Sequence, residues 1–162
     1  ILEDDAIFRT GLRAPEFQRR IVAEAEAQNW AMWFIGHRLR QGLRGEKRGV
    51  VRTERPFTWA HCYAVRAPVL DDLIGYLSAV IDRPAGDPLG GKMYIDGAFG
   101  MFRRQFTDHA CVVCNPAMSI QKGSRSNLAQ PDGHRVSAVL EMARRARDEF
   151  WRRTGIDFRS GH

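Results

Sequence analysis

The architecture this sequence predicts is an α/β layered domain, on three observations. Short, dense apolar runs rich in aromatic and β-branched residues occur at 30–35 (WAMWFI), 58–66 (TWAHCYAVR) and 110–113. Apolar stripes at helical spacing lie between and after them, and proline, glycine and aspartate mark the joins. Strands alternating with helices bury their faces by stacking in layers, and ligands of such sheets collect at the carboxyl ends of strands.

The opening ILEDDAIF reads as a short buried strand, Ile1 and Leu2, that delivers Glu3, Asp4 and Asp5 before Ala6, Ile7 and Phe8 resume the apolar run. Carboxylates at the mouth of a core need a partner, because burying an unpaired anion is costly. Glu3 and Asp5 have the spacing that puts two side chains on one face of an extended chain, so both can reach one hard divalent cation. The competing reading is a solvated acidic loop. An Ile start inside a strand leads to the expectation that the natural chain extends upstream.

Pro15 begins a helix with Phe17, Ile21, Val22 and Ala25 on its apolar side. The run 30–35 is a buried strand ending at Gly36, and 36–56 reads as a mobile basic loop. Within it, residues 37–55 carry seven Arg or Lys against two Glu. After the strand at 58–66, Pro68 starts a helix whose stripe of Val69, Leu70, Leu73, Ile74, Leu77, Val80 and Ile81 predicts a central place in the core. A loop at 84–91 leads to Asp96, the expected N-cap of a helix carrying Phe99, Phe102 and Phe106. A strand at 110–113, a polar loop at 121–133 and an arginine-rich helix at 135–153 complete the order. All 162 residues fit one domain.

The formal charge of +6 points to anionic partners. The aromatics sit in apolar strands and stripes rather than among the arginines, so a solvated face or an anionic lipid surface is expected instead of nucleic acid. No apolar run approaches the roughly 20 residues of a membrane span. Three cysteines suit a reducing compartment. His109, Cys111 and Cys114, with His61 and Cys62, invite a zinc reading, but one CxxC on a strand turns its thiols to opposite faces, so buried apolar thiols are the expectation.

Four segments in order, LEDDA with its helix and WFIG, AHCYAVRAPVLDDLI, MYIDGAFGMFRR and NPAMSIQKGSRSNL, resemble the bacterial glycosyltransferase family 25 over residues 1–128. That family includes lipooligosaccharide galactosyltransferases. The resemblance implies the C-terminal portion of a GT-A-like, Rossmann-like nucleotide-diphospho-sugar transferase fold, with the first strands and the uridine-binding loop upstream of Ile1. It implies that Glu3, Asp4 and Asp5 hold Mn2+ or Mg2+ on a UDP-sugar donor. His61 and Tyr63 would lie near the acceptor or the metal, Asp96 would be the general base or acceptor clamp, and Gln121 and Ser126 would contact substrate. Asn127 departs from the aspartate usual after that serine.

The implied activity is metal-dependent, inverting transfer of a sugar such as galactose to lipopolysaccharide, lipooligosaccharide or another surface glycan. The expected place is the cytoplasm, peripheral to the inner membrane. The alternatives are a non-catalytic homologue that binds anionic glycan or lipid and, third, a basic nucleic-acid-binding module.

Overall fold

In a computed structural model the described residues are 1–39, 47–121, 145–146, 149–150 and 152–154. The elements are β1 (Ala6–Phe8), α1 (Pro15–Glu26), β2 (Met32–Leu39), β3 (Gly49–Arg52), β4 (Phe57–Val65), α2 (Leu70–Asp82), α3 (Ile95–Gln105), β5 (Cys111–Asn115) and β6 (Ser119–Gln121). They form a mixed α/β structure around one sheet with both parallel and antiparallel pairs. Among the described residues no helix is long and apolar enough to cross a membrane.

β2 is the central strand because its residues are apolar on both faces, which suits a strand covered twice. On one edge it pairs antiparallel with β4. On the other it pairs parallel with β5 through Met32–Phe34, then with β6 at Gly36. β5 carries β3 on its outer side, and β6 carries β1. Phe34, Met32, Phe99, Phe102, Leu73 and Val80 fill one face under α2 and α3, while Trp33, Val112, Ile21, Ala25 and Met118 fill the other under α1. Period-two alternation therefore sorts neighbours to opposite layers: Cys111 joins the first cluster and Cys114 the second. All three cysteines are buried and free. Burial pushes the Cys111 and Cys114 thiols up to about 12 and raises that of Cys62.

Several expectations need correction. Ile1 and Leu2 are not buried: they are 74% and 57% exposed, because their segment lies on the outer side of β4, joined to it by a single bridge, Leu2 to Cys62. The basic segment is not one loop. β2 continues through His37 and Arg38 to Leu39, β3 occupies Gly49–Arg52, and residues 40–46 lie outside the described residues. The α2 stripe is only half used. Val69, Leu73, Tyr76 and Val80 are buried, but Leu70, Ile74 and Ile81 face solvent, since α2 sits at the margin of its layer against α3. Asp96 is not an N-cap, for α3 starts one residue earlier with Tyr94 as its cap. Of the helix expected at 135–153, the described residues are helical and the rest lies outside them, as does the loop after Gln121.

The close point of the fold is Gly36. It pairs with Cys62 on one edge and Ser119 on the other. A Cβ there would meet the Ser119 Oγ at 2.1 Å and the His61 Nε2 at 2.3 Å. Both neighbours are essentially inaccessible; the Ser119 hydroxyl lies against the Cys62 thiol, and neither ring nitrogen of His61 has a hydrogen-bond partner among the described residues. Beside them His37 is also buried, its Nε2 2.9 Å from the Cys114 carbonyl oxygen. Burial, and after it proximity to His61, bring its pKa down to about 4 against the opposing pull of that hydrogen bond.

Two outcomes follow. Gly36→Ala should lower stability by about 1–3 kcal/mol, the usual cost of overpacking, in urea denaturation, with no gain from any local rearrangement. Because His37 is neutral when folded and titrates at the ordinary histidine value when unfolded, the unfolded chain binds the extra proton. Stability should therefore fall as pH drops from about 6.5 towards about 4, by up to roughly 1.4 kcal/mol per pH unit. His37→Asn should flatten that part of the pH–stability curve relative to the parent protein.

Candidate functional site

The N-terminal segment is held at the sheet by backbone. Residues 1–3 run antiparallel to β4: the Ile1 nitrogen donates to the Tyr63 carbonyl (2.7 Å), Tyr63 N–H to the Ile1 carbonyl (3.0 Å), and Glu3 N–H to the His61 carbonyl (2.9 Å). The chain then turns, with Ala6 N–H donating to the Glu3 carbonyl at 3.2 Å, and β1 leaves along β6. β4 and β6 flank opposite edges of β2 at Gly36, so this short segment ties the two edges together.

The turn replaces the extended chain expected to carry Glu3 and Asp5 on one face, with Asp4 pointing away. Asp4 is exposed on its outer side, whereas Glu3 and Asp5 are half-buried. Glu3 Oε2 accepts a 2.8 Å hydrogen bond from the Gln121 amide, joining two residues 118 positions apart. Asp5 Oδ1 is buried and has no hydrogen-bond partner among the described residues. Asp4 and Asp5 also line a cavity of about 430 Å³ with Arg145, Glu149 and Arg152, so positive charge from the chain lies on that side.

An orphaned, buried carboxylate oxygen fits a hard cation, which accepts oxygen ligands and would offset the cost of burying the charge. Glu3 and Asp5, two positions apart, are the residues that would hold it. Among the described residues no group of three or more His, Cys, Asp and Glu side chains converges.

The other expected residues divide between the surface and the interior. Tyr63 is half-buried, with its ring 5.6 Å from Phe34 and 4.9 Å from Phe99 between centroids. Burial, and then the charge of Glu3, raise its phenol pKa, so it remains a hydrogen-bond donor at neutral pH. His61 is 1% exposed and lies inside, in the space that a Cβ on Gly36 would take. Ser126 lies outside the described residues.

Asp96 stands in the first turn of α3, where its negative charge suits the helix dipole. Its Oδ1 accepts from Gly97 N–H (2.8 Å) and its Oδ2 from Trp59 N–H (3.2 Å). Trp59 lies two residues before His61 on β4, so one strand serves both the acidic turn and Asp96. Trp59 was not foreseen. Its φ of 63° is strained for a bulky residue, and the Arg38 guanidinium lies 4.9 Å from its ring centroid. The irregular pairing of β2 and β4 around Gly36 and Arg38 accompanies this conformation. Nothing in the residue order TWAH signals it. Ser119 and Gly36 were equally unforeseen, although a glycine inside a strand is a known sign of close approach.

Comparison of the chain with models of known families, with characterised proteins and with solved structures finds no significant match.

Proposed function

We propose that this protein is a metal-dependent, inverting sugar transferase of GT-A-like fold that uses a UDP-sugar donor. The acceptor is proposed to be a lipopolysaccharide-type glycolipid or a surface polysaccharide, met at the cytoplasmic side of the membrane. The observation that carries the reading is the Gln121–Glu3 hydrogen bond. The resemblance assigns LEDDA and the glutamine of SIQ to one substrate site, and this bond joins them across 118 positions. The orphaned oxygen of Asp5 is a second support.

In this reading Glu3 and Asp5 would hold Mn2+ or Mg2+, and the ion when bound would neutralise charge developing on the diphosphate leaving group. Gln121 fixes the Glu3 carboxylate, and Tyr63 offers a hydroxyl donor beside it. Asp96 takes the proton of the acceptor hydroxyl as that oxygen bonds to the anomeric carbon and the bond to the diphosphate breaks on the opposite face. The Trp59 and Gly97 amides hold the carboxylate in place for this.

A second reading, binding of an anionic glycan without turnover, is favoured by one observation: the described residues bring no three potential ligands together.

Calorimetry separates the two. UDP should bind about tenfold more tightly with manganese than with EDTA, and Asp5→Asn should remove the difference while circular dichroism stays unchanged. Asp96→Asn should leave UDP binding intact and lower transfer about 10²-fold or more, the ordinary worth of a general base. UDP binding indifferent to manganese would favour the binding module.

A further inference from the structure

A cleft of about 670 Å³ runs along α3, closed on its far side by the connection from β3 to β4. Asp96, Gly100 and Arg104 all line it, and their spacing of four places them on one face of the helix. Acid and base are therefore separated along α3 by about 12 Å, eight residues at the helical rise. Between them the helix surface is bare. A Cβ on Gly100 would meet nothing within 4 Å, so no packing contact requires glycine there, although glycine weakens a helix interior.

The facing wall is fixed rather than free. Arg103 donates to the carbonyls of Thr53 (2.5 Å) and Arg55 (3.2 Å), which anchors the β3–β4 connection to α3. His109 is likewise occupied, 2.8 Å from Asp72 and stacked on Phe106. Arg52, exposed at the end of β3, adds a second guanidinium to that of Arg104, whose Nη2 also meets the Met101 Sδ at 2.5 Å, and Glu54 lines the same wall with a carboxylate. Thr58 and Thr107 bring hydroxyls. Guanidinium groups recognise phosphate and carboxylate oxygens, and hydroxyls suit the donors and acceptors of a sugar.

We infer that this cleft binds an anionic saccharide, its phosphate or carboxylate held by Arg52 and Arg104 and its rings lying over Gly100 with a hydroxyl turned to Asp96. As the acceptor site, this rests on the transferase reading and narrows the acceptor to a sugar bearing an acid group. The binding itself requires neither nucleotide nor metal.

Amide-resolved NMR titration of the protein tests it, with glucose 6-phosphate, glucuronate, glucose and inorganic phosphate as probes. Glucose 6-phosphate or glucuronate should shift the Gly97 and Gly100 amides and bind about tenfold or more tightly than glucose, the worth of one charge-assisted contact. Whichever of the two binds better names the acid group. Arg104→Ser and Arg52→Ser should each erase most of that preference. Gly100→Leu should abolish binding while raising the melting temperature by a few degrees, since it fills the cleft and improves the helix. Glucose binding as tightly as its acidic derivatives would overturn the inference, as would unchanged binding in Gly100→Leu. Inorganic phosphate matching glucose 6-phosphate would overturn it too, leaving a simple anion site. If UDP and manganese fail to bind while glucose 6-phosphate binds here, the transferase reading falls and the cleft assignment stands.

Discussion

The absence of a side chain at Gly36 is the constraint on which the rest of the structure depends. At this residue β2 is paired on both edges, and the His61 and Ser119 side chains occupy the space a Cβ would take. The close approach places β4 and β6 so that eight residues of chain can link them: residues 1–3 along β4, a turn, then β1 along β6. The acidic residues sit on that link. Their position is thus set by a glycine some thirty positions later, through two strands and a pair of buried polar side chains. Leaving polar atoms without partners in an interior is costly, and the site is built over such a pocket.

The elements with strong periodicity were legible in the sequence. The phenylalanine helix after Tyr94 buries the side its spacing marks, and the helix begun by Pro15 buries Ile21 and Ala25 of its stripe while Val22 is 48% exposed; the strand 57–65 was legible from its aromatic and β-branched composition, and it buries Ala60, His61 and Cys62 in succession. What was not legible depends on neighbours. β3 and β6, of four and three residues, are strands because β5, β2 and β1 offer them hydrogen bonds, and so short a run carries no period. The stripe of α2 is broader than the one helix it meets, and residue order alone does not say how many neighbours a helix has. Asp96 fails as a cap for a similar reason: the helix begins at Ile95, and its carboxylate goes instead to the amide of Trp59, thirty-seven positions away.

At the site, residue types were more legible than their surroundings. Glu3 and Gln121 do meet, with Tyr63 close enough to feel the Glu3 charge, while Asp5 lines a separate pocket beside Arg145 and Arg152 and His61, from the strand of Tyr63, is buried. The alternation of a strand puts His61 and Tyr63 on one face but does not tell which of the two the next layer will cover. Trp59 is the extreme case, since a positive φ at a bulky residue is imposed by the pairing around it and leaves no trace in composition.

The three thiols have a practical meaning. Each is buried, and for each burial raises the pKa, with Cys111 and Cys114 near 12, so at neutral pH the nucleophilic thiolate is scarce and shielded. They lie on both faces of the sheet, in β4 and β5, the two strands that flank the centre. Cys62 and Cys111 each line a pocket, whereas Cys114 has no exposed surface, so its alkylation awaits molecules that have opened and the rate of uptake at Cys114 becomes a clock for how often the sheet comes apart. The chain carries that reporter in its native residues, with no label to add and no surface cysteine among these three to obscure it.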